Sequence, residues 1–313
     1  MAARNKPNEL YITRLYEAPV KLVWDAWVDP KQVAKWWGPR GFTITTKSKD
    51  VRTGGNWIYT MHGPDGVDYP NRTEFLEVEK YSRLVYDHGA NDTQPALFRV
   101  TVVFTDLGGK TKMDMTMALA TPEAAKEIKK FIKKAGGEST WDRLAEYLSS
   151  DDKFVINRSF DAPIDVIFDM WTNPKHVTQW LPPVGFNMEY IKPDIIKGGT
   201  SFFVMTGPDN MKMYGKAHYT DITKPNRIVY EQVFCDENEN VSRHPMAPTW
   251  PEKMRVTIEL NEEGPDKTRV TGTTEVIGEA SAIERETFHG AKAGMTQGWT
   301  GSFDKLETLL DKK

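Results

Sequence analysis

At 313 residues the chain is long enough for two ordinary domains, each with its own core. Its 27% charged and 39% hydrophobic residues are a globular composition and exclude a disordered chain. A net charge of −3 gives no electrostatic basis for a nucleic-acid or acidic-membrane partner, and the single cysteine, Cys235, excludes a disulfide framework and a cysteine-based zinc site.

The start, "MAARNKPNEL", holds no apolar stretch of signal-peptide length, and no later stretch approaches a membrane span, so a cytoplasmic location is expected. "LYITRLYEA" then alternates as a strand does. Pro19 suits the first turn of a helix whose Val20, Val23, Trp24 and Trp27 recur at helical spacing. Asp29-Pro30 reads as an N-cap and a first-turn proline, opening a second short helix that ends near Trp36-Trp37-Gly38-Pro39. Six β-rich runs follow: Thr43–Asp50, Asn56–His62, Thr73–Glu79, Leu84–His88, Phe98–Thr105 and Lys112–Leu119. "DLGGK" at Asp106–Lys110 is a hairpin turn between the last two. Thr121-Pro122-Glu123 opens a closing helix that turns Ile128, Phe131, Ile132, Trp141, Leu144 and Leu148 inward, with Gly136-Gly137 placed to kink or break it. Its lysine pairs at 129–130 and 133–134 lie among Glu123, Glu127 and Glu138 and read as a solvated face.

The chain then repeats itself. At a fixed offset of 144 residues, Ile12–Pro64 and Ile156–Pro208 share 19 identities in 53 positions, among them Trp27 with Trp171, Trp36 with Trp180 and Gly54-Gly55 with Gly198-Gly199. Arg83-Leu84-Val85-Tyr86 matches Arg227-Ile228-Val229-Tyr230 before an insertion enters the second copy. This is a tandem duplication, with one copy expected over 1–150, another over 151–313, and the polar "SSDDK" at the junction. The second copy closes with a helix from about Ala280 to Leu310. An antiparallel sheet with alternating apolar positions must cover one face, and the amphipathic closing helix is the available cover. The expected class is α+β.

The order of elements, with "APxxxVWxAWxDPxxxxxWWGPxGF", "GGxWxYxMxGPDG" and a closing "GWxxSFDKLExLL", resembles proteins related to the C-terminal domain of the activator of heat-shock-protein-90 ATPase. Those belong to the START-like, or SRPBCC, helix-grip superfamily. The resemblance covers nearly the whole chain, once per copy. It implies two helix-grip domains, each a curved antiparallel sheet wrapped around a long C-terminal helix, with a cavity between. Relatives bind or carry small apolar molecules there, some catalyse cyclisation or hydrolysis, and others act as co-chaperones. The second copy departs from the pattern: Leu181-Pro182-Pro183 replaces Trp37-Gly38-Pro39, Ser201 replaces Trp57, and Asn210 replaces Gly66. The first copy has Gly136-Gly137 against the Gly298-Trp299 of the second, so the closing Gly-Trp survives only there.

Little in the sequence announces chemistry. No two of the six histidines lie within five residues of each other and no His-Glu-x-x-His occurs, so neither a metal nor a cofactor is expected. No nucleophile elbow is present, the double glycines lack the lysine of a phosphate loop, and Cys235 has no nameable activating partner. Strand alternation places Trp57, Tyr59 and Met61 on one face, and Ser201, Phe203 and Met205 on the equivalent face; if the resemblance holds, these line the cavities. The same pattern describes plain core residues. Leu181, Tyr219, Tyr230 and Trp250 complete the expected lining of the second copy. Glu74 and His218 stand beside Phe75 and Tyr219, and only one of each pair can face in; the aromatics are expected to, which leaves Glu74 and His218 in solvent. The extended connection Phe234–Lys253, with His244, Met246 and Trp250, reads either as a cover for a cavity mouth or as a decorated turn. Losing Trp37 and Trp57 would make the second pocket larger and more polar.

Three functions remain open. The leading one is binding, sequestration or transport of a small hydrophobic or aromatic molecule. An enzyme acting on such a ligand would draw on His218, Glu74, Tyr59 or Tyr230 for acid–base work. A chaperone-type protein partner is the third, and the oligomeric state is not legible.

Overall fold

The computed structural model describes residues 6–91, 94–134, 139–149 and 152–311. The chain divides into two compact units, Met1–Ser149 and Ser150–Lys313. The first runs β1 (Glu9–Tyr16), α1 (Val20–Val28), α2 (Pro30–Trp36), β2 (Thr43–Lys49), β3 (Asn56–His62), β4 (Asp68–Glu79), β5 (Arg83–Ala90), β6 (Phe98–Asp106), β7 (Thr111–Ala118), α3 (Pro122–Lys134) and α4 (Ser139–Tyr147). The second repeats it as β8 (Lys153–Phe160), α5 (Ile164–Thr172), α6 (Pro174–Trp180), β9 (Asn187–Lys192), β10 (Thr200–Thr206), β11 (Lys212–Thr223), β12 (Arg227–Cys235), β13 (Lys253–Gly264), β14 (Lys267–Val276) and α7 (Ala282–Leu310). Each unit holds one seven-stranded antiparallel sheet, ordered β1-β7-β6-β5-β4-β3-β2 in the first and β8-β14-β13-β12-β11-β10-β9 in the second. Both are helix-grip domains of the α+β class.

The strands agree with the sequence pattern except at β4, which starts at Asp68, well before Thr73. The cause is pairing: Tyr69 and Asn71 oppose Met61 and Tyr59, so β3 is matched along its length. In the first unit the closing helix is two segments, α3 and α4; the Phe131 side chain and Gly136-Gly137 lie outside the described residues. In the second it is one helix, α7, opened by a capping box in which Ser281 accepts from the Glu284 backbone and Glu284 reaches back.

The two short helices fold identically for local reasons. Asp29 accepts from the Lys31 and Gln32 backbone N–H groups at 2.7 and 3.2 Å, and Asn173 does the same for Lys175. Trp36 donates from its indole to the Ala26 carbonyl at 3.0 Å, and Trp180 to Met170 at 2.9 Å, which clasps each helix pair together. Val23, Trp24, Ala26 and Trp27 form the buried stripe of α1; Ile167, Phe168, Met170 and Trp171 form that of α5.

The closing helices share a register that motif spacing concealed. Arg14 faces Asp142 across 4.0 Å and Arg158 meets Asp304 at 2.7 Å, so α4 aligns with the last turns of α7. In that register Trp141 stands where Phe303 stands. Its ring nevertheless stacks on Trp27 (5.5 Å, 10°) as Trp299 stacks on Trp171 (5.9 Å, 27°). The closing tryptophan that the Gly-Trp motif suggested only for the second copy is thus supplied in the first by Trp141.

Trp27 is 4% exposed among Trp36, Trp37, Phe104 and Trp141, and Trp171 is 6% exposed against Trp180 and Trp299. Trp27→Ala and Trp171→Ala are each expected to destabilise their own unit by about 3–5 kcal/mol. Chemical denaturation of the full chain reads this; wild-type midpoints in both variants would remove these side chains from the core.

Candidate functional site

Strand register identifies the concave face of each sheet, because directly opposed residues share a side. In the first unit Trp57 opposes Thr73, Phe75 opposes Tyr86, and His88 opposes Phe98. This face is filled. Trp57 and Tyr59 are 3% and 2% exposed and stack at 3.9 Å. Trp37 packs edge-on against Trp57 and donates its indole N–H to the Tyr59 hydroxyl at 3.2 Å. Met61 packs partly buried on the same cluster. What remains is a hollow of about 10 Å³ walled by Trp27, Trp37, Lys49, Trp57, Thr73 and Tyr86. It has room for about one water-sized group.

Polar groups interrupt this aromatic lining. Thr73 Oγ1 lies 3.4 Å from His88 Nδ1, and burial lowers the His88 pKa to about 4, so its imidazole is neutral at pH 7. Burial also holds the Tyr59 and Tyr86 phenols above their usual range. Sequence reasoning did not single out Lys49, Thr73 or His88. The available signal was the repeat itself, since Pro193 and Ala217 stand at the same offset from Lys49 and Thr73 and lose their polarity, while Gln232 keeps a polar group at the His88 position.

The second unit rebuilds the face with different residues. Ser201 is fully buried, and its hydroxyl lies 3.3 Å from that of Tyr219. The Phe203 ring crosses Gly215 so closely that a Cβ there would sit 2.5 Å from its tip, so a side chain at 215 would require the ring to move. Tyr219 and Tyr230 are register partners with rings 5.5 Å apart, and Tyr190 meets Phe203 edge-on at 6.1 Å. Burial raises the pKa of all three phenols, so each is a neutral O–H group at pH 7. Phe203 and Tyr219 belong to the buried core, with Leu181, Met205, Tyr230 and Trp250 packed partly exposed against it. Glu74 and His218 are exposed, on the opposite faces from Phe75 and Tyr219.

Along α7 the inward stripe is buried at its ends, Phe288, Ser302, Phe303 and Leu306, but not between them: Ala291, Met295 and Trp299 keep accessible surface. On the sheet of the same unit, Tyr190, Met205 and Tyr230 also keep accessible surface. These side chains of the second unit are thus partly exposed, whereas Trp37, Trp57 and Tyr59 of the first are buried.

The long connection is anchored to the first turns of α7. Arg243 pairs with Glu284, Thr249 hydrogen-bonds Thr287 at 2.9 Å, and Trp250 packs edge-on against Phe288 at 5.6 Å. A hollow of about 360 Å³ opens beside it, walled by Met213, Tyr214, Phe234, Cys235, Ser242 and Arg243. Cys235 is buried there, and desolvation raises its thiol pKa, the opposite of what a nucleophile needs. Among the described residues no group of three or more His, Cys, Asp or Glu is placed to hold a metal ion, and no helix is long and apolar enough to cross a membrane.

A family model described as Activator of Hsp90 ATPase homolog 1-like protein matches residues 17–149 and again 161–311. No curated protein matches the chain at a significant level. Similar solved structures include protein Ms6760 from Mycobacterium smegmatis (22% identity, 51% of this chain and 91% of that one, TM-score 0.43). A protein from Staphylococcus epidermidis shares 27% identity over 52% of this chain and 92% of its own, with a TM-score of 0.42. The di-domain ARO/CYC BexL from the BE-7585A biosynthetic pathway aligns over 96% of this chain and 97% of that one, at 13% identity and a TM-score of 0.39.

The His88 environment has a pH signature. A histidine held near 4 in the folded unit and near 6.5 in the unfolded chain binds its proton only after unfolding between those values. Its contribution is present above pH 6.5 and is lost as pH falls towards 4, by up to about 3 kcal/mol. His88→Gln, the residue of the second copy, is expected to flatten this acid limb in denaturation curves taken from pH 7 to 4. An unchanged limb would show that the imidazole is solvated.

Proposed function

We propose a function from one premise: this chain belongs to the Activator of Hsp90 ATPase homolog 1-like protein family, twice over. Its second unit binds a small hydrophobic or aromatic molecule between the sheet and α7, and its first unit is a copy whose interior its own tryptophans occupy. The observation that carries this reading is the matched exposure of two facing walls. Met295 and Trp299 on α7, and Tyr190, Met205 and Tyr230 on the sheet, are apolar or aromatic, pack on the core and are not sealed by it. A ligand that covered them would bury apolar surface worth roughly 25 cal/mol per Å².

The chemistry of the walls narrows the ligand. The polar groups within reach are the neutral hydroxyls of Tyr190, Tyr219 and Tyr230, which donate to an acceptor and balance no charge. An uncharged, largely planar molecule carrying one or two acceptor oxygens fits them. Trp250, fixed over Phe288, covers one end of the helix where such a molecule would lie. Sequestration or transport needs nothing further, and the acid–base candidate of this unit, His218, is exposed on the opposite face of its strand from Tyr219.

Binding of the neutral aromatic probe N-phenyl-1-naphthylamine to the full chain, followed by fluorescence, tests the assignment. Met295→Trp fills the space from the helix side and is expected to weaken binding at least tenfold at an unchanged unfolding midpoint. Trp57→Phe, in the first unit, is expected to leave the affinity within about twofold. Undiminished binding by Met295→Trp would place the site elsewhere.

A further inference from the structure

Two polar side chains on the core side of the second sheet have no hydrogen-bond partner among the described residues. On β12, Tyr230 is opposed by Tyr219 and Val256, and Gln232 by Ala217 and Met254. Opposed residues share a face of the sheet, and all four of these neighbours belong to the buried core of the unit. Tyr230 and Gln232 therefore lie on the core side too, and both keep accessible surface. The Tyr219 hydroxyl is engaged by Ser201 at 3.3 Å, but the Tyr230 hydroxyl and the Gln232 amide are engaged by none of the described residues.

The repeat accounts for the free amide. In the first unit the equivalent residues are His88 and Thr73, whose side chains approach to 3.4 Å. The second copy keeps a polar group in Gln232 but has Ala217 in place of Thr73, so the amide has lost its cross-strand partner. The side chains of Ala217 and Met254, 3% and 5% exposed, offer it only apolar surface. A partly buried amide between apolar neighbours is costly to leave unpaired, and a ligand that pairs it removes that penalty.

We propose that Gln232 and Tyr230 together read a lactam edge, so that the molecule held in the second unit is a neutral planar aromatic with an N–H beside a carbonyl. The inference rests on the ligand site proposed above and adds a donor requirement to it. A glutamine amide presents a carbonyl oxygen and an N–H side by side, and the group that satisfies both at once presents the same pair reversed. The ligand N–H donates to Gln232 Oε1, and the Gln232 amide N–H donates to the ligand carbonyl. The second lone pair of that carbonyl accepts from the Tyr230 hydroxyl. Residues two apart on one strand face stand about 6.7 Å apart, a gap that one oxygen spans with two hydrogen bonds of about 2.8 Å. A ketone, ether or carboxylate would leave the Gln232 oxygen unpaired, and a lone phenol the amide N–H.

Isothermal titration calorimetry on the full chain tests this with 2-quinolone and its N-methyl derivative, which keeps the ring and the carbonyl but has no N–H. The wild type is expected to bind 2-quinolone at least about tenfold more tightly. Gln232→Met, close in size and length, is expected to bring the two affinities within about threefold of each other. Its unfolding midpoint is expected to be no lower than that of the wild type, since no protein group loses a partner. Tyr230→Phe is expected to weaken both compounds by at least about threefold and to keep the preference, because the carbonyl is common to them. Equal affinities in the wild type, or a preference that survives Gln232→Met, overturn the lactam reading, and unweakened binding by Tyr230→Phe overturns the part given to its hydroxyl. If N-phenyl-1-naphthylamine binds and 2-quinolone does not, this inference fails while the site stands; if neither binds, both fail.

Discussion

Each unit depends on one contact: an indole from the first helix stacked on an indole from the closing helix. Trp27 on Trp141, and Trp171 on Trp299, join the helix at the start of the unit to the one at its end across the open side of the sheet. Aromatic pairs of this kind contribute beyond their buried area, and they fix the distance at which the closing helix stands from the strands. The Arg–Asp pairing repeated in both copies, Arg14 with Asp142 and Arg158 with Asp304, sets the register in which that contact is made. Once helix and sheet are held apart in this way, the contents of the space between them are decided by a handful of side chains.

Those side chains differ between the copies in a consistent direction. In the first, Trp37 and Trp57 lie edge to face, Tyr59 stacks beneath, and the space is consumed. In the second, Leu181 and Ser201 stand at the first two positions, Tyr219 takes the space near Ser201, and Met295 and Trp299 stay partly exposed. Duplication followed by such a division leaves one unit rigid and the other with surface to cover. Arg143 illustrates the rigidity, gathering the carbonyls of Trp37, Gly38, Pro39 and Phe42 onto α4, while Lys305 in the same place donates to the Pro182 carbonyl.

Much of this was legible in the sequence. The repeat, the helix cap at Asp29, the strand alternation and the inward aromatics Phe75 and Tyr219 follow from local chemistry, and the resemblance implied the grip. The equivalence of Trp141 and Trp299 was hidden because they sit at different positions in the helix register; two rings arriving from different turns at one place is a tertiary fact. Lys49 was hidden because a register shift between Thr46 and Ser48 decides its face, whereas Thr73 and His88 share the faces of Phe75 and Tyr86 by plain alternation and were legible from it. Ser201 shows the converse limit: replacing tryptophan by serine predicts volume, but a neighbouring tyrosine can claim it.

The central claim, a filled first interior and an unfilled second one, is open to a direct measurement. Xenon binds dry apolar space and little else, so a crystal of the full chain pressurised with xenon maps unfilled interior by anomalous scattering. The account predicts xenon between α7 and the sheet of the second unit, near Met295, Met205 and Tyr230, and none among Trp37, Trp57 and Tyr59. Xenon in the first interior, with none beneath α7, would contradict it.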